Sequence, residues 1–333
     1  METINCEVFM NKKKMPIVGI DVSKDTFNAY YSGRDFKYPN SPKGWKKLYS
    51  EAPTGSLFAM EVTGNYHYRL ASYLYSKGCR VKVLNALRFS NWLKFTGRSK
   101  AYTDILCARY LADYADDDRV KALPCWEPLS PKLARCKIIL TLLYRLSKLS
   151  RQAGNVNHAA SGIISGNDDL LGVMNGFEDY CSEQKKKLEK ELVSLVSALF
   201  PEQFKLLQTI PGFGAKTAAV MLVSCRGIEN FDSSAKLSAY LGFGVKVKDS
   251  GTSVHDKGRT DKVGNPYFRS LLFMCAMTAK GLNKPCAELY SRLTGKGKNG
   301  MLALTAVMHR LVKIAFGVVM SGEPYRGGKV ALT

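Results

Sequence analysis

The sequence predicts an α/β N-terminal domain, then a long antiparallel helical pair, then a mostly α C-terminal domain. Over residues 15–114, short β-like runs (PIVGIDVS, FNAYYSG, SLFAMEV, RVKVLNA) alternate with helical stretches (KGWKKLYSEA, HYRLASYLYSKG, YTDILCARYLADYA). That alternation is the mark of a layered α/β architecture. An acidic run from Asp116, followed by Pro124, Pro128 and Pro131, breaks the pattern and reads as a boundary. Residues 132–160 and 168–200 carry apolar side chains at helical spacing, among them Leu188, Leu192, Leu195 and Leu199. The Gly/Ser-rich stretch 161–167 suits the tip joining two such helices, which form an interaction or dimerisation arm or a plain strut. Beyond Pro201 the spacing predicts helices over 216–224, 235–241, 266–280 and 302–320, with a glycine-rich polar connection over 242–264. The expected domains are therefore 15–118, 129–200 and 201–325.

A chain of 333 residues that is 46% hydrophobic can bury a real core, and its length favours more than one domain. A formal charge of +21 attracts polyanions, because phosphate backbones release counterions on contact with such a surface. Nucleic acid is the expected partner. Nine cysteines without a CxxC pair, and only four histidines, point away from a zinc site and from a disulfide framework. Reduced thiols in a cytoplasm are expected. The polar, basic start and the lack of about 20 uninterrupted apolar residues argue against a signal peptide and a membrane span.

Three carboxylates stand out. Asp21 ends the apolar run IVGI, Glu61 ends LFAM, and Asp104 opens a helix. Acids from two strand ends and a helix start, if they converge, make the magnesium site of an RNase H-like fold, because magnesium takes oxygen ligands in an octahedron. Two ions held there would activate an attacking oxygen and stabilise a leaving one.

Further on, TIPGFGAKTAAVML from Thr209 has the form of a helix-hairpin-helix, or of an ordinary helix connection. In the first case the backbone around Gly212 and Gly214, with Lys216 and Thr217, would grip a phosphate without reading bases. The phrase LSAYLGFGVKVKDSG then places Ser250 before Gly251, with Lys246, Lys248, Lys257, Arg259, Lys262 and Arg269 around it. A serine hydroxyl becomes a nucleophile only when a base takes its proton and cations offset charge on the attacked phosphate. The basic flank supplies the second need.

Together these phrases resemble the transposases of the insertion-sequence 110 family, which includes Piv-like invertases and bridge-RNA-guided recombinases. The resemblance runs from about residue 15 to 325. It implies a RuvC-like domain with a DEDD acidic set, a coiled-coil arm, and a C-terminal transposase domain whose serine lies in an SG motif after a LAAYLG-type phrase. On this chain it implies Asp21, Glu61 and Asp104 as Mg2+ ligands and Ser250 as the nucleophile. The family's closing motif, TDxxDAR, reads here as TDILCAR, so Cys107 stands where the fourth acid is expected. A thiol is a poor magnesium ligand. The resemblance further implies a covalent phosphoserine link to donor and target DNA, and a guide RNA whose base pairing carries sequence. From the bipartite site a homo-oligomer, dimer or tetramer, is expected. Two other readings stay open: a metal-dependent nuclease of the Holliday-junction type using the acids alone, and a nucleic-acid-binding relative whose chemistry is impaired at Cys107.

Overall fold

A computed structural model describes residues 15–62, 64–98, 103–164, 169–246, 249–250, 254–255, 259–260 and 264–327, with the backbone alone between 245 and 260. Contacts divide the chain into two compact units, Met1–Pro128 and Leu129–Thr333. The first is a mixed α/β layer structure and the second is mostly helical.

In the first unit five strands run β1 (Ile17–Val22), β2 (Thr26–Tyr31), β3 (Arg34–Pro39), β4 (Leu57–Glu61) and β5 (Arg80–Leu84). Their order in the sheet is β3-β2-β1-β4-β5. The first three pair antiparallel through tight connections, whereas β4 and β5 lie parallel to β1 after helical crossovers. Helices α1 (Pro42–Glu51) and α2 (His67–Ser76) cover one face; α3 (Ala86–Phe95), α4 (Asp104–Ala115) and the short α5 (Asp118–Lys121) cover the other. Alternation along β1 sorts the side chains: Val18, Ile20 and Val22 join the core under α1 and α2, while Ile17, Gly19 and Asp21 turn to α4.

Gly19 fixes how α4 sits. A Cβ built there would lie 2.0 Å from the carbonyl oxygen of Ala108 and 2.5 Å from the amide nitrogen of Ala112, so the helix backbone rests directly on the strand. Replacement by alanine has to lift α4 off β1. We expect Gly19→Ala to cost about 3 kcal/mol and to lower the first unfolding transition on the order of 10 °C, read by calorimetry. An unchanged transition would mean that α4 is not seated on Gly19.

Two elements escape the sequence reading. Strand β3, RDFKYP, is a mostly exposed edge with one fully buried side chain, Tyr38, and so lacks an alternating apolar pattern. Helix α3 follows β5 after a single residue, so its start merges with the strand-like run RVKVLNA and no separate helical stretch is read there.

In the second unit α6 (Pro131–Ala160) and α7 (Asp169–Leu199) pack along each other as the long helical pair. They lead to α8 (Pro201–Gln208), α9 (Ala215–Cys225), α10 (Ser234–Tyr240), α11 (Pro266–Leu282), α12 (Lys284–Gly295) and α13 (Gly300–Ser321). Every side chain from Thr217 to Val223 is buried, which makes α9 a core helix. Helix α13 packs against α10, α11 and α12 through Ala303, Val307, Leu311, Ala315 and Val318. The sequence expectation rests on the lack of an uninterrupted apolar run; among the described residues α13, with 22 residues, is long and apolar enough to span a membrane by length and composition alone. Its apolarity has another destination, since 56% of the apolar window is buried among its neighbours.

Candidate active site and serine segment

The acidic centre forms at the C-terminal edge of the sheet. Ile20 of β1 is in register with Met60 of parallel β4, so Asp21 and Glu61 are the next residues along on adjacent strands. Neighbouring strands lie about 4.8 Å apart. Because Gly19 seats α4, the first turn of that helix comes down over Asp21. Thr103 caps the turn, its hydroxyl accepting from the amide of Leu106 at 3.3 Å. Asp104 is the first helical residue and is exposed, and Cys107, one turn on, is buried.

Asp21 is the electrostatic middle of the group. Burial, then the charge of Asp104, pushes its carboxyl up to about 6, against a donated hydrogen bond from the Cys107 thiol that acts in the opposite sense. Glu61 is also raised, by burial first and by Asp21 second. Asp21 thus interacts with both other acids and with Cys107. As placed, no three acidic, cysteine or histidine side chains among the described residues are close enough to hold one ion. The residue types nonetheless fit a hard divalent cation: carboxylates whose ionised forms oppose one another, with no basic side chain among the effects acting on Asp21.

Arg109, which sequence reasoning left out, holds α4 at its other side. Its guanidinium donates twice to Asp35 of β3, through Nε at 2.8 Å and through Nη2, and it lies 5.5 Å from the ring centre of Tyr30. Gly19 and Arg109 thus hold in place the helix that carries Asp104 and Cys107. The signal for Arg109 is its i+5 spacing from Asp104, which places it off the face bearing the acid.

The serine lies in the second unit. After α10 the chain enters a segment whose two ends touch: Gly264, at φ +140°, would bring a Cβ within 2.7 Å of the Leu241 carbonyl carbon. Only glycine fits both the angle and the space. Phe243 is buried beside this closure, edge-on to Phe268 at 6.4 Å. Between the ends, β6 (Val245–Lys246) pairs antiparallel with β9 (Arg259–Thr260), and β7 (Asp249–Ser250) with β8 (Val254–His255). Lys246 is in register with Arg259, and Ser250 with Val254, so Ser250 is the last strand residue before the tip. Lys248, Lys257 and Lys262 lie outside the described residues.

The remaining expected binders are placed variously. Arg269 sits in the first turn of α11 and donates to the Gly264 carbonyl at 3.1 Å. Gly214 is the exposed N-cap of α9. Gly212, at φ +96°, lets the turn approach α11, with Cys275 O 3.0 Å from a built Cβ. Lys216 is ion-paired with Glu189 of α7 and lies 5.7 Å from the ring centre of Tyr267. The expectation of Thr217 as a phosphate contact is corrected: its side chain is buried, with Oγ1 3.2 Å from Cys275 Sγ, so it joins α9 to α11 instead of facing a ligand.

Comparison with known proteins bears on both units. Residues 18–132 match a family model of DEDD transposases of the IS110 type, and residues 204–292 match the model described as Transposase IS116/IS110/IS902 family. The pilin gene-inverting proteins of Moraxella bovis and Moraxella lacunata are each 25% identical to it over 324 residues, which is 92% of this chain and 97% of theirs. The "Insertion element IS110 uncharacterized 43.6 kDa protein" of Streptomyces coelicolor is 29% identical over 145 residues, 43% of this chain and 35% of that one. An acid-bearing α/β unit and a helical unit matched in this way define an enzyme of the transposase class, one that cleaves DNA and transfers strands. The chain belongs to the IS110 family of transposases.

Proposed function

We propose that this transposase cuts and rejoins DNA through Ser250, with Asp21, Glu61 and Asp104 holding Mg2+ in a RuvC-like domain. The observation that supports it most is that Asp21 and Glu61 each directly follow the Ile20–Met60 pair on adjacent strands, and that Asp21 feels the charge of Asp104 on α4. The mixed sheet with acids on β1 and β4 is what an RNase H-like reading requires. Bound Mg2+ would offset charge on the attacked phosphate and lower the cost of the departing oxygen. The chain's own residues do the rest. Ser250 Oγ loses its proton and forms a bond to phosphorus, the P–O bond to one DNA strand breaks, and the leaving hydroxyl takes a proton. The hydroxyl of a second strand end then attacks the same phosphorus and releases the serine. Bond count is kept at each exchange, so rejoining needs no energy source. That two full-length relatives carry the name pilin gene-inverting protein supports a rearrangement of DNA over simple cutting.

The turn at Gly212 and Gly214 serves in this reading as a helix-hairpin-helix grip on DNA phosphate, and Lys246, Lys248, Lys257, Arg259, Lys262 and Arg269 line the path of the strand. A bridge-type guide RNA carries the sequence choice, and the protein works in the cytoplasm. The three regions 15–118, 129–200 and 201–325 divide the labour as catalysis, assembly and strand exchange. For assembly, α6 exposes Ile138, Leu142, Leu149 and Val156, and α7 exposes Leu170, Val173, Phe177 and Tyr180. At 100° per residue the α6 set falls within an arc of about 40°, a straight apolar stripe suited to another helix. A second copy of this chain is the occupant we assign to it.

The experiment is to trap the intermediate. With labelled element-end DNA and Mg2+, denaturation and digestion should yield a peptide bearing a phosphodiester-linked nucleotide at Ser250. Cleaved DNA with no adduct would favour the nuclease reading. DNA bound and left intact would favour the impaired-binder reading, with Cys107 as its cause.

A further inference from the structure

We propose that Asn40 is a positioning residue of the acidic centre, its side-chain amide tying the loop that follows Asp21 to the loop that follows Glu61. This rests on the Mg2+ reading above and names a residue that stands behind it. Asn40 directly follows Pro39, the last residue of β3. Strand β3 is antiparallel to β2 and β2 to β1, so β3 ends at the same edge of the sheet as β1 and its parallel neighbour β4. From there Asn40 Nδ2 donates to the Ser23 carbonyl at 2.9 Å and to the Tyr66 carbonyl at 3.4 Å. Ser23 lies two residues beyond Asp21; Tyr66 lies five beyond Glu61, at the N-cap of α2. The backbone amide of Asn40 also donates to the Asp25 carbonyl at 2.8 Å, so both ends of the β1–β2 turn are held.

The side chain is itself oriented from α1. Trp45 Nε1 donates to Asn40 Oδ1 at 2.9 Å, which leaves the amide nitrogen to face the two loops. Trp45 packs against Tyr73 of α2, with ring centres 6.1 Å apart. Gly44 lets α1 come this close: a Cβ there would lie 2.0 Å from the Pro39 carbonyl oxygen.

The sheet leaves a place for such a link. Pairing of β1 with β4 runs from Ile17–Leu57 to Ile20–Met60 and stops one residue short of the acids. The next residue on each strand is a carboxylate, and when both are ionised they repel each other. Joining the loops just beyond them resists that spreading. A divalent cation draws on acids already held near each other, and side chains behind the ligands commonly change metal affinity by about 10- to 100-fold.

The test measures Mn2+, which takes the same oxygen ligands as Mg2+, on the full chain without DNA. Bound ion is read from the loss of the free-ion electron paramagnetic resonance signal for the wild type, Asn40→Ala and Asn40→Asp. Asn40→Asp keeps the shape and the acceptor for Trp45 and removes only the side-chain donors, so it decides the matter even where Asn40→Ala folds poorly. Both variants should bind about tenfold more weakly. Asn40→Asp should do so although its added negative charge would by itself attract the cation. A structural role alone would lower the first melting transition in EDTA and leave the affinity of the folded protein unmoved. Wild-type or tighter affinity in a folded variant would overturn the clamp. A wild type that takes up no Mn2+ would instead overturn the Mg2+ reading, and the clamp with it.

Discussion

Asp21→Asn should abolish strand cleavage and at the same time stabilise the metal-free protein at neutral pH. The two effects have one cause. The folded carboxyl titrates near 6 against 3.8 for the free group, so its ionised form is disfavoured by burial and by Asp104. For a raised carboxyl the stabilising contribution is complete below the unfolded value and is lost as pH climbs through the folded one. Between about pH 4 and 6 the wild type therefore loses stability at this position, in EDTA, while the neutral amide does not. Asparagine should raise the first melting transition at pH 7.5 by a few degrees and flatten its pH dependence. Magnesium should stabilise the wild type more than the variant. Activity should fall at least about 10³-fold, some 4 kcal/mol of transition-state stabilisation. An active Asp21→Asn enzyme, or one less stable than wild type in EDTA at pH 7.5, would remove Asp21 from the centre of the site.

Ser250→Ala should be equally inactive in strand transfer, by about 10³-fold or more, and the mixture of two dead proteins should be more informative than either. If the serine of one subunit serves the acids of another, Ser250→Ala mixed with Asp21→Ala recovers part of the wild-type strand transfer. Each mixed pair then holds one intact site, made of the acids from the first variant and the serine from the second. A site completed within one chain gives no recovery, because every chain lacks an essential group. Co-expression keeps the mixture from depending on subunit exchange. Gel-resolved transfer products read the outcome directly.

Much of this arrangement can be read in the sequence, and the unreadable part has a physical reason. Asp21 and Glu61 announce themselves because each ends an apolar run, and a strand end is where a polar side chain can reach solvent. Asp104 follows a Thr103 that caps its helix, a strictly local signal. Cys107 is singled out by the family's closing motif, and helical periodicity turns it to the side of Asp104. Gly19 is different, because a glycine within a strand only weakens the local prediction, and its value appears when a helix 85 positions further on comes to rest against it. Thr217 turns inward, and Lys216 is paired, for a related reason. A threonine and a lysine behind a glycine turn look like a phosphate grip, yet Cys275 and Glu189, distant in sequence, claim their side chains. Spacing along one helix carries no information about partners brought in by the fold.

The contact between Gly264 and Leu241 has a consequence for how this enzyme can vary. Because the serine segment leaves and re-enters the helical core at nearly one point, the core bears no record of how long the excursion is. The entropy of holding a loop's ends together rises only with the logarithm of its length, about 0.6 kcal/mol per doubling. Residues can therefore be gained or lost between the paired strands and the tip at little expense to folding. Ser250 is carried on a tether whose reach evolution can retune, while the closure at Gly264 keeps its origin fixed.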